Sequence, residues 1–367
     1  MPHNIHTIAF SFIKGNNPKM ATQILNRLGS ESEFFTLSET ALAARLEFKG
    51  RILDPSYRKS LLEKAKTEKE FIDGHNIRAI YFTDADYPQR LLECDDAPAM
   101  LYALGDTDLN AAHVVSIVGT RNATNYGVNF IERLIGKLAS GINNLVIVSG
   151  LAFGCDIAAH KEALRLGIPT VGVVAHGLDT LYPSEHRGYA ANMVRQGGMI
   201  LTDYTHNTTP HRGNFLARNR IVAGLADCIV VAESAANRGG ALHTAKLGML
   251  YNRDVFALPG RTSDLYSGGC NMLIKSNVAH LIENADDLVA AMNWQQRQEE
   301  GQQPTLFPEF TPQQQAVIDH IRQKGEAQIN TLTAVLGIPV GQLMALLVEM
   351  EFNGVLLSLP GARYRLA

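Results

Sequence analysis

Residues 114–150 read VVSIVGTRNATNYGVNFIERLIGKLASGINNLVIVSG. Two near-continuous apolar runs, VVSIVG and LVIVSG, flank a segment of helical period over 127–139. Strands that are apolar on both faces and joined through a helix belong to a parallel sheet covered on both sides, because parallel pairing needs a crossover of that length. The same alternation continues through TVGVVA, GMILTD, CIVVAES and DVFALPG, with helical segments over 155–166, 186–196, 215–225 and 240–250. The pattern predicts an α/β fold, a Rossmann-like doubly wound parallel sheet over 110–292.

On the N-terminal side, residues 76–109 read as a bridge. IRAIYF is a strand candidate, and Pro88 and Pro98 exclude one continuous helix across the rest. Residues 1–75 read as short helices: a segment through Phe12, a break at Lys14 to Pro18, then MATQILNRLG with Gly29 as C-cap, then 38–46 and 55–73. This helical module resembles SAM-like or helix-hairpin-helix units, but its turn lacks GxG. Residues 1–110 hold 13 Lys+Arg against 16 Asp+Glu, so a structural or protein-contacting role is expected and no DNA contact is assigned to it.

Beyond the core, residues 293–310 are rich in Gln, Glu and Pro and read as a linker. Residues 311–367 open with Thr311 and Pro312 as N-cap and first helical residue. Helices over 312–324, 328–335 and 339–353, followed by two strands around Pro360 and Gly361, make a winged-helix-like pattern. Four basic residues face four acidic ones there, and 339–353 carries Glu349 and Glu351 with no Lys or Arg. Protein contact or an auxiliary role is expected of it, rather than base reading.

A net charge of −3 over 367 residues excludes a histone-like polycation, so any anion site must be local. Residues 210–275 hold 8 Lys+Arg against 4 Asp+Glu. Cys94, Cys155, Cys228 and Cys270 are scattered without metal-ligand spacing, so no metal is expected, and free thiols fit a reducing cytoplasm. No leader pattern and no membrane-length apolar run is present, and a soluble cytoplasmic protein without a membrane partner is expected.

In an open parallel sheet, ligands bind beyond the carboxyl ends of the strands. Four loops lie there: Gly119 to Asn122, Ser149 to Asp156, the stretch Thr209 to Gly224, and Ser234 to Thr244. GTRNATNYG is neither GxGxxG nor a Walker loop, so no nucleotide cofactor is expected. Arg121 suits a phosphate outside the sheet edge. Ser149, Asp156 and His160 do not have hydrolase spacing, and Asp156 is expected to cap the helix that His160 joins one turn on. A phosphoribohydrolase would need a Glu-bearing loop; NRGGALHTAK has Lys246 there, and Glu233, at a strand end, fits either a catalytic or a structural hydrogen-bonding role.

SIVGTR, VSGLAFGCDIAAH, GLDTLYPSEHR, GNFLARNRIVAGLADCIVVAES, RGGALHTAKLG, FALPG and SGGCNMLIK, in this order, resemble the DNA-processing protein A (DprA/Smf) family. The resemblance implies a non-catalytic, cofactor-free protein that binds single-stranded DNA, forms a homodimer and helps load RecA recombinase in natural transformation. It implies phosphate contacts at Arg121, Arg212 and Arg218 and base stacking on Phe215. Asn219 belongs to the same signature, in which Arg220 serves either the site or the fold. Ser149, Gly150, Phe153, Gly154, Gly240 and Thr244 match further binding-loop positions, and Met272, Leu273 and Ile274 match part of a dimer-forming end. A phosphoribohydrolase-type enzyme and a protein-bridging scaffold are the alternative readings.

Overall fold

The central strands are buried on both faces, and successive residues enter opposite cores. Val114 and Val118 enter one core, while Val115 and Ile117 enter the other. The computed structural model describes residues 3–236, 239–295 and 310–366. Residues 296–309 of the expected linker, and Asn237 and Arg238 of the fifth-strand loop, lie outside the described residues. The chain divides into two compact units, Met1–Arg297 and Gln298–Ala367.

Helices α1 (Ile5–Ser11), α2 (Pro18–Leu28), α3 (Glu31–Thr36), α4 (Glu39–Leu46) and α5 (Pro55–Gly74) come first. Strand β1 (Arg78–Tyr81), helix α6 (Gln89–Leu92) and strand β2 (Met100–Gly105) follow. The alternating region runs β3 (His113–Val118), α7 (Asn125–Gly141), β4 (Leu145–Ser149), α8 (Cys155–Arg165), β5 (Thr170–Val173), α9 (Arg187–Arg195), β6 (Met199–Thr202) and α10 (Arg212–Gly224). It ends with β7 (Cys228–Val231), α11 (Gly240–Leu250), β8 (Asp254–Ala257), α12 (Gly268–Lys275), β9 (His280–Leu281) and α13 (Ala285–Ala291).

The nine strands lie in the order β1-β2-β6-β5-β4-β3-β7-β8-β9. From β6 to β9 all pairings are parallel. The sheet therefore has the expected Rossmann-like core, and it also has an edge that the sequence reading did not anticipate. Strand β2 pairs antiparallel with both β6 and β1, with Tyr102 opposite Thr202. The segment read as a bridge thus contributes two strands to the same sheet.

Helices α10 and α11 cover one face through Ile221, Val222, Ala241 and Ala245. On the other face, α7, α8 and α13 pack Phe130, Ile131, Leu134, Ala159 and Leu288. Local signals start the helices: Asn17 accepts from Met20 N ahead of Pro18, and Asp54 accepts from Tyr57 N ahead of Pro55. Gly29 ends α2 as expected, its N–H donating to Leu25 O. The helices before the sheet are tied together by Arg58, whose buried guanidinium donates to the carbonyls of Phe34, Leu37 and Leu53.

The second unit has helices α14 (Pro312–Lys324), α15 (Ile329–Leu336) and α16 (Val340–Phe352). Strands β10 (Ala327–Gln328), β11 (Leu356–Leu359) and β12 (Arg363–Leu366) form a sheet ordered β10-β12-β11. Thr311 and Gln314 form a capping box at the start of α14. This is the winged-helix arrangement anticipated from the helix spacing and the Pro360–Gly361 turn.

Candidate nucleic-acid interface

Strand order reverses at β3: β4, β5 and β6 extend to one side, and β7, β8 and β9 to the other. Loops leaving such a reversal diverge and open a crevice at the carboxyl edge. Here the crevice is a cleft of about 580 Å³, lined among others by Thr120, Arg121, Gly150, Arg212, Phe215, Leu216, Asn219 and Gly240.

Its floor is built by stitching the first loops together. Thr120 N donates to Glu233 O at 2.7 Å, and Cys155 N donates to Thr120 O at 3.1 Å. That approach requires glycine at 154, where φ is +76° and an added Cβ would stand 2.2 Å from Thr120 O. Arg121 follows the stitched residue and leaves the floor exposed to solvent. Its guanidinium carbon lies 5.3 Å from the centroid of the half-buried Phe215 ring, which α10 supplies from the opposite wall. Arg212 begins α10 and is also exposed. Among the described residues neither Arg121 nor Arg212 forms an ion pair. Two uncommitted guanidinium groups and an aromatic face thus share one cleft.

Arg218 is placed differently from what a phosphate contact would need. It is 4% exposed, and its Nη1 donates to Gly150 O at 2.8 Å and to Val173 O. Burial pulls its pKa down, while the charge of Asp156 opposes that pull. Asp156 is the mirror case, its pKa raised by burial and opposed by Arg218. Gly150 makes room for the pair, since a Cβ there would lie 2.6 Å from both Arg218 Nη2 and Asp156 Oδ2. Arg218 therefore borders the cleft while tying α10 to the ends of β4 and β5. Arg220 turns away altogether, pairing with Asp203 and donating to Asp96 O at 2.8 Å.

The remaining expected positions divide between lining and support. Ser149 is fully buried, with its hydroxyl donating to Ile117 O at 2.6 Å. Thr244 is 2% exposed and donates to Gly240 O at 3.0 Å. Asn219 donates to the same carbonyl at 3.3 Å and so joins α10 to the start of α11. Phe153 is exposed, but its ring packs against His186, 4.8 Å between centroids, rather than against Phe215. On α12, Leu273 is 1% exposed and belongs to the core, Ile274 packs partly against it, and Met272 faces outward. Leu273 is therefore unavailable as a surface contact.

Among the described residues, His160 and Glu233 are both committed to structural partners away from a hydrolytic arrangement. His160 is fully buried, and its Nδ1 lies 2.7 Å from Thr170 Oγ1, away from the Ser149 hydroxyl. Glu233 is 3% exposed and accepts from Thr124 N at 2.7 Å and Thr124 Oγ1 at 2.6 Å, so both its oxygens anchor the start of α7. The four cysteines are buried free thiols. Sequence reasoning did not name Leu216, which is exposed on α10 and lines the cleft, or Tyr182, which lies outside the lining but holds its ring 5.7 Å from that of Phe215. The signal for Tyr182 was the aromatic in GLDTLYPSEHR, but nothing local says that this loop reaches α10.

Fold and site together define a class: a Rossmann-like protein with an open cationic and aromatic cleft at its topological switch point, followed by a winged helix. Residues 78–293 match the family model of the DNA recombination-mediator protein A, and residues 300–362 match that of the DprA winged helix domain. The chain belongs to this DprA/Smf family, and its role is DNA processing of the DprA type. Protein Smf of Synechocystis is 30% identical over 98% of this chain and 97% of its own length. DNA processing protein DprA of Streptococcus pneumoniae is 38% identical over 62% of this chain and 78% of its own. The X-ray structure of DprA from Streptococcus pneumoniae superposes with a TM-score of 0.64 at 30% identity, covering 79% of this chain and 98% of that one. DNA processing protein A from Helicobacter pylori, whose structure was described for its single-stranded DNA binding mode, gives 0.52 at 32% identity, covering 59% and 95%.

Proposed function

We propose that this protein grips single-stranded DNA in the cleft at the β3–β7 reversal, without catalysing a reaction on it. The observation that carries this reading is the convergence of Arg121, Arg212 and Phe215 on one open cleft, with neither cation paired to a carboxylate among the described residues. A flexible strand can present phosphates to the guanidinium groups while an unstacked base lies on the ring. A duplex keeps its bases stacked and cannot use the ring. The relative from Helicobacter pylori, described for its single-stranded DNA binding, supports the same assignment. The commitment of Glu233 to Thr124 weighs against a phosphoribohydrolase, which would need that carboxylate free.

Arg218, Ser149 and Thr244 hold the cleft in shape in this reading, and do not touch the strand. Family membership motivates the further proposals that the chain forms a homodimer, with Met272 on its outer surface, and delivers DNA to RecA. Titrating the protein against a fluorescent oligonucleotide, single-stranded and then annealed, over a series of salt concentrations tests the central claim. Tight, salt-sensitive binding of the single strand with much weaker binding of the duplex is expected; equal affinity for both would overturn it.

A further inference from the structure

The helix that a DNA-reading winged helix would place in the major groove is here an exposed apolar face. Over its 13 residues, α16 has no Lys or Arg. Its inward residues Leu343, Leu347 and Met350 fill the core of the unit. On the solvent side Val340 is 47% exposed, Met344 51%, Val348 58% and Phe352 91%. Residues four apart share a helix face, so these four form one continuous ridge, with Gly341 and Ala345 beside it. Four large apolar groups in register along a helix are not the scattered exposed residues that a soluble surface tolerates.

The charge layout selects the occupant. Pro339 is the N-cap of α16 and offers no side-chain cap, and the first turn carries no acid. The N–H groups of Val340, Gly341 and Gln342 therefore have no side-chain acceptor among the described residues and face solvent at the positive end of the helix. Glu349 and Glu351 lie at the opposite end. Turned end for end about a point near Leu346, a second copy of the helix places Phe352 against Val340 and Val348 against Met344. The same rotation sets Glu351 beside Gly341, where the absence of a side chain leaves room for a carboxylate to reach the uncapped N–H groups. Ridge, gap and charges are thus self-complementary under one two-fold axis, as an isologous contact requires. A phosphate backbone or an anionic membrane surface laid on this helix would instead meet the Glu351 carboxylate and no cation from α16.

We propose that α16 is a self-association surface, pairing antiparallel with α16 of a second copy of this chain. The contact is independent of the DNA-binding reading. A single helix pair covers less area than a stable stand-alone interface, so the association is weak alone and gains strength when copies gather on one strand or through another contact.

Disulfide trapping on the full-length protein tests the geometry, because the four native cysteines are buried. Val340→Cys and Phe352→Cys variants are prepared separately and oxidised mildly, each alone and then mixed. In the antiparallel pair the two copies of either residue are about 18 Å apart along the axis, so neither variant crosslinks alone, whereas the mixture gives a covalent dimer. Adding Glu351→Lys to both partners lowers the crosslink yield several-fold, and Met344→Glu abolishes it. Both positions are exposed, and unchanged circular dichroism confirms folding. No crosslink in the mixture, or equal crosslinking of either variant with itself, overturns the proposal. So does sedimentation with phosphatidylcholine vesicles that depends on Met344 when the mixture fails to crosslink, since that outcome gives the ridge to a lipid surface.

Discussion

A guanidinium and a phenyl ring lose different things when replaced by alanine. Each arginine that neutralises a phosphate releases counterions, so Arg121→Ala and Arg212→Ala should each weaken binding and lower the log–log salt slope by about 1. Phe215→Ala removes stacking, which costs about 1–3 kcal/mol for the base involved and leaves the slope nearly unchanged. Fluorescence anisotropy over a salt series separates the two, and parallel losses in slope for all three variants would contradict these roles. Arg218 belongs to another category. Its guanidinium is buried against Gly150 O, Val173 O and Asp156, so Arg218→Ala leaves a buried carboxylate uncompensated and should cost about 3–5 kcal/mol of folding stability. Urea denaturation reads that loss directly. The RNR signature showed that an arginine is needed at 218, but not which way it points. Phe215 and Arg218 are three apart on one helix and both border the cleft, and only the carbonyl ends of β4 and β5 decide that the guanidinium of Arg218 is spent on the backbone while the Phe215 ring stays open to the cleft.

At the scale of elements, the parallel core was legible because each central strand is apolar on both faces and each is followed by a helical period. The antiparallel edge was not. Strand β2 sits in MLYALG just after Pro98, and its partner β6 lies nearly a hundred residues on; no local period encodes that pairing. The junction of α8 with β5 yields a pH prediction. His160 Nδ1 faces Thr170 Oγ1, whose hydroxyl donates to Ile147 O, so the ring donates from Nδ1, and its Nε2 has no partner among the described residues. Burial lowers its pKa from 6.5 to about 3. The folded state therefore excludes the proton that the unfolded chain takes up below its pKa of 6.5. Stability from this residue is intact above pH 6.5 and falls as the pH drops towards 3, by up to about 1.4 kcal/mol per unit. Wild type should lose stability over this window faster than His160→Gln, whose amide titrates nowhere in it; superimposable pH profiles in urea melts would refute the assignment.

At the scale of the molecule, every residue proposed to touch DNA lies within Met1–Arg297, which is compact in its own right and carries its own cores on both sheet faces. The helices before the sheet belong to that same unit: Glu68 of α5 accepts from the backbone N–H of His206 at 3.1 Å, in the loop that leads into α10. They cannot be removed without freeing the segment that presents Arg212 and Phe215. The winged helix has its own core, built on Val317, Ile321, Leu332, Leu343 and Leu347. A chain ending at residue 297 should therefore fold and bind a short single-stranded oligonucleotide, one that admits a single protein copy, within about twofold of the full-length affinity, the scatter expected of independent parts. A chain beginning at residue 76 should lose both stability and binding. Circular dichroism and anisotropy on the two truncations check the pair of outcomes. Strong loss of short-oligonucleotide affinity in the first would show that the winged helix contributes to the grip, whereas retained affinity in the second would show that α5 does not hold the α10 loop.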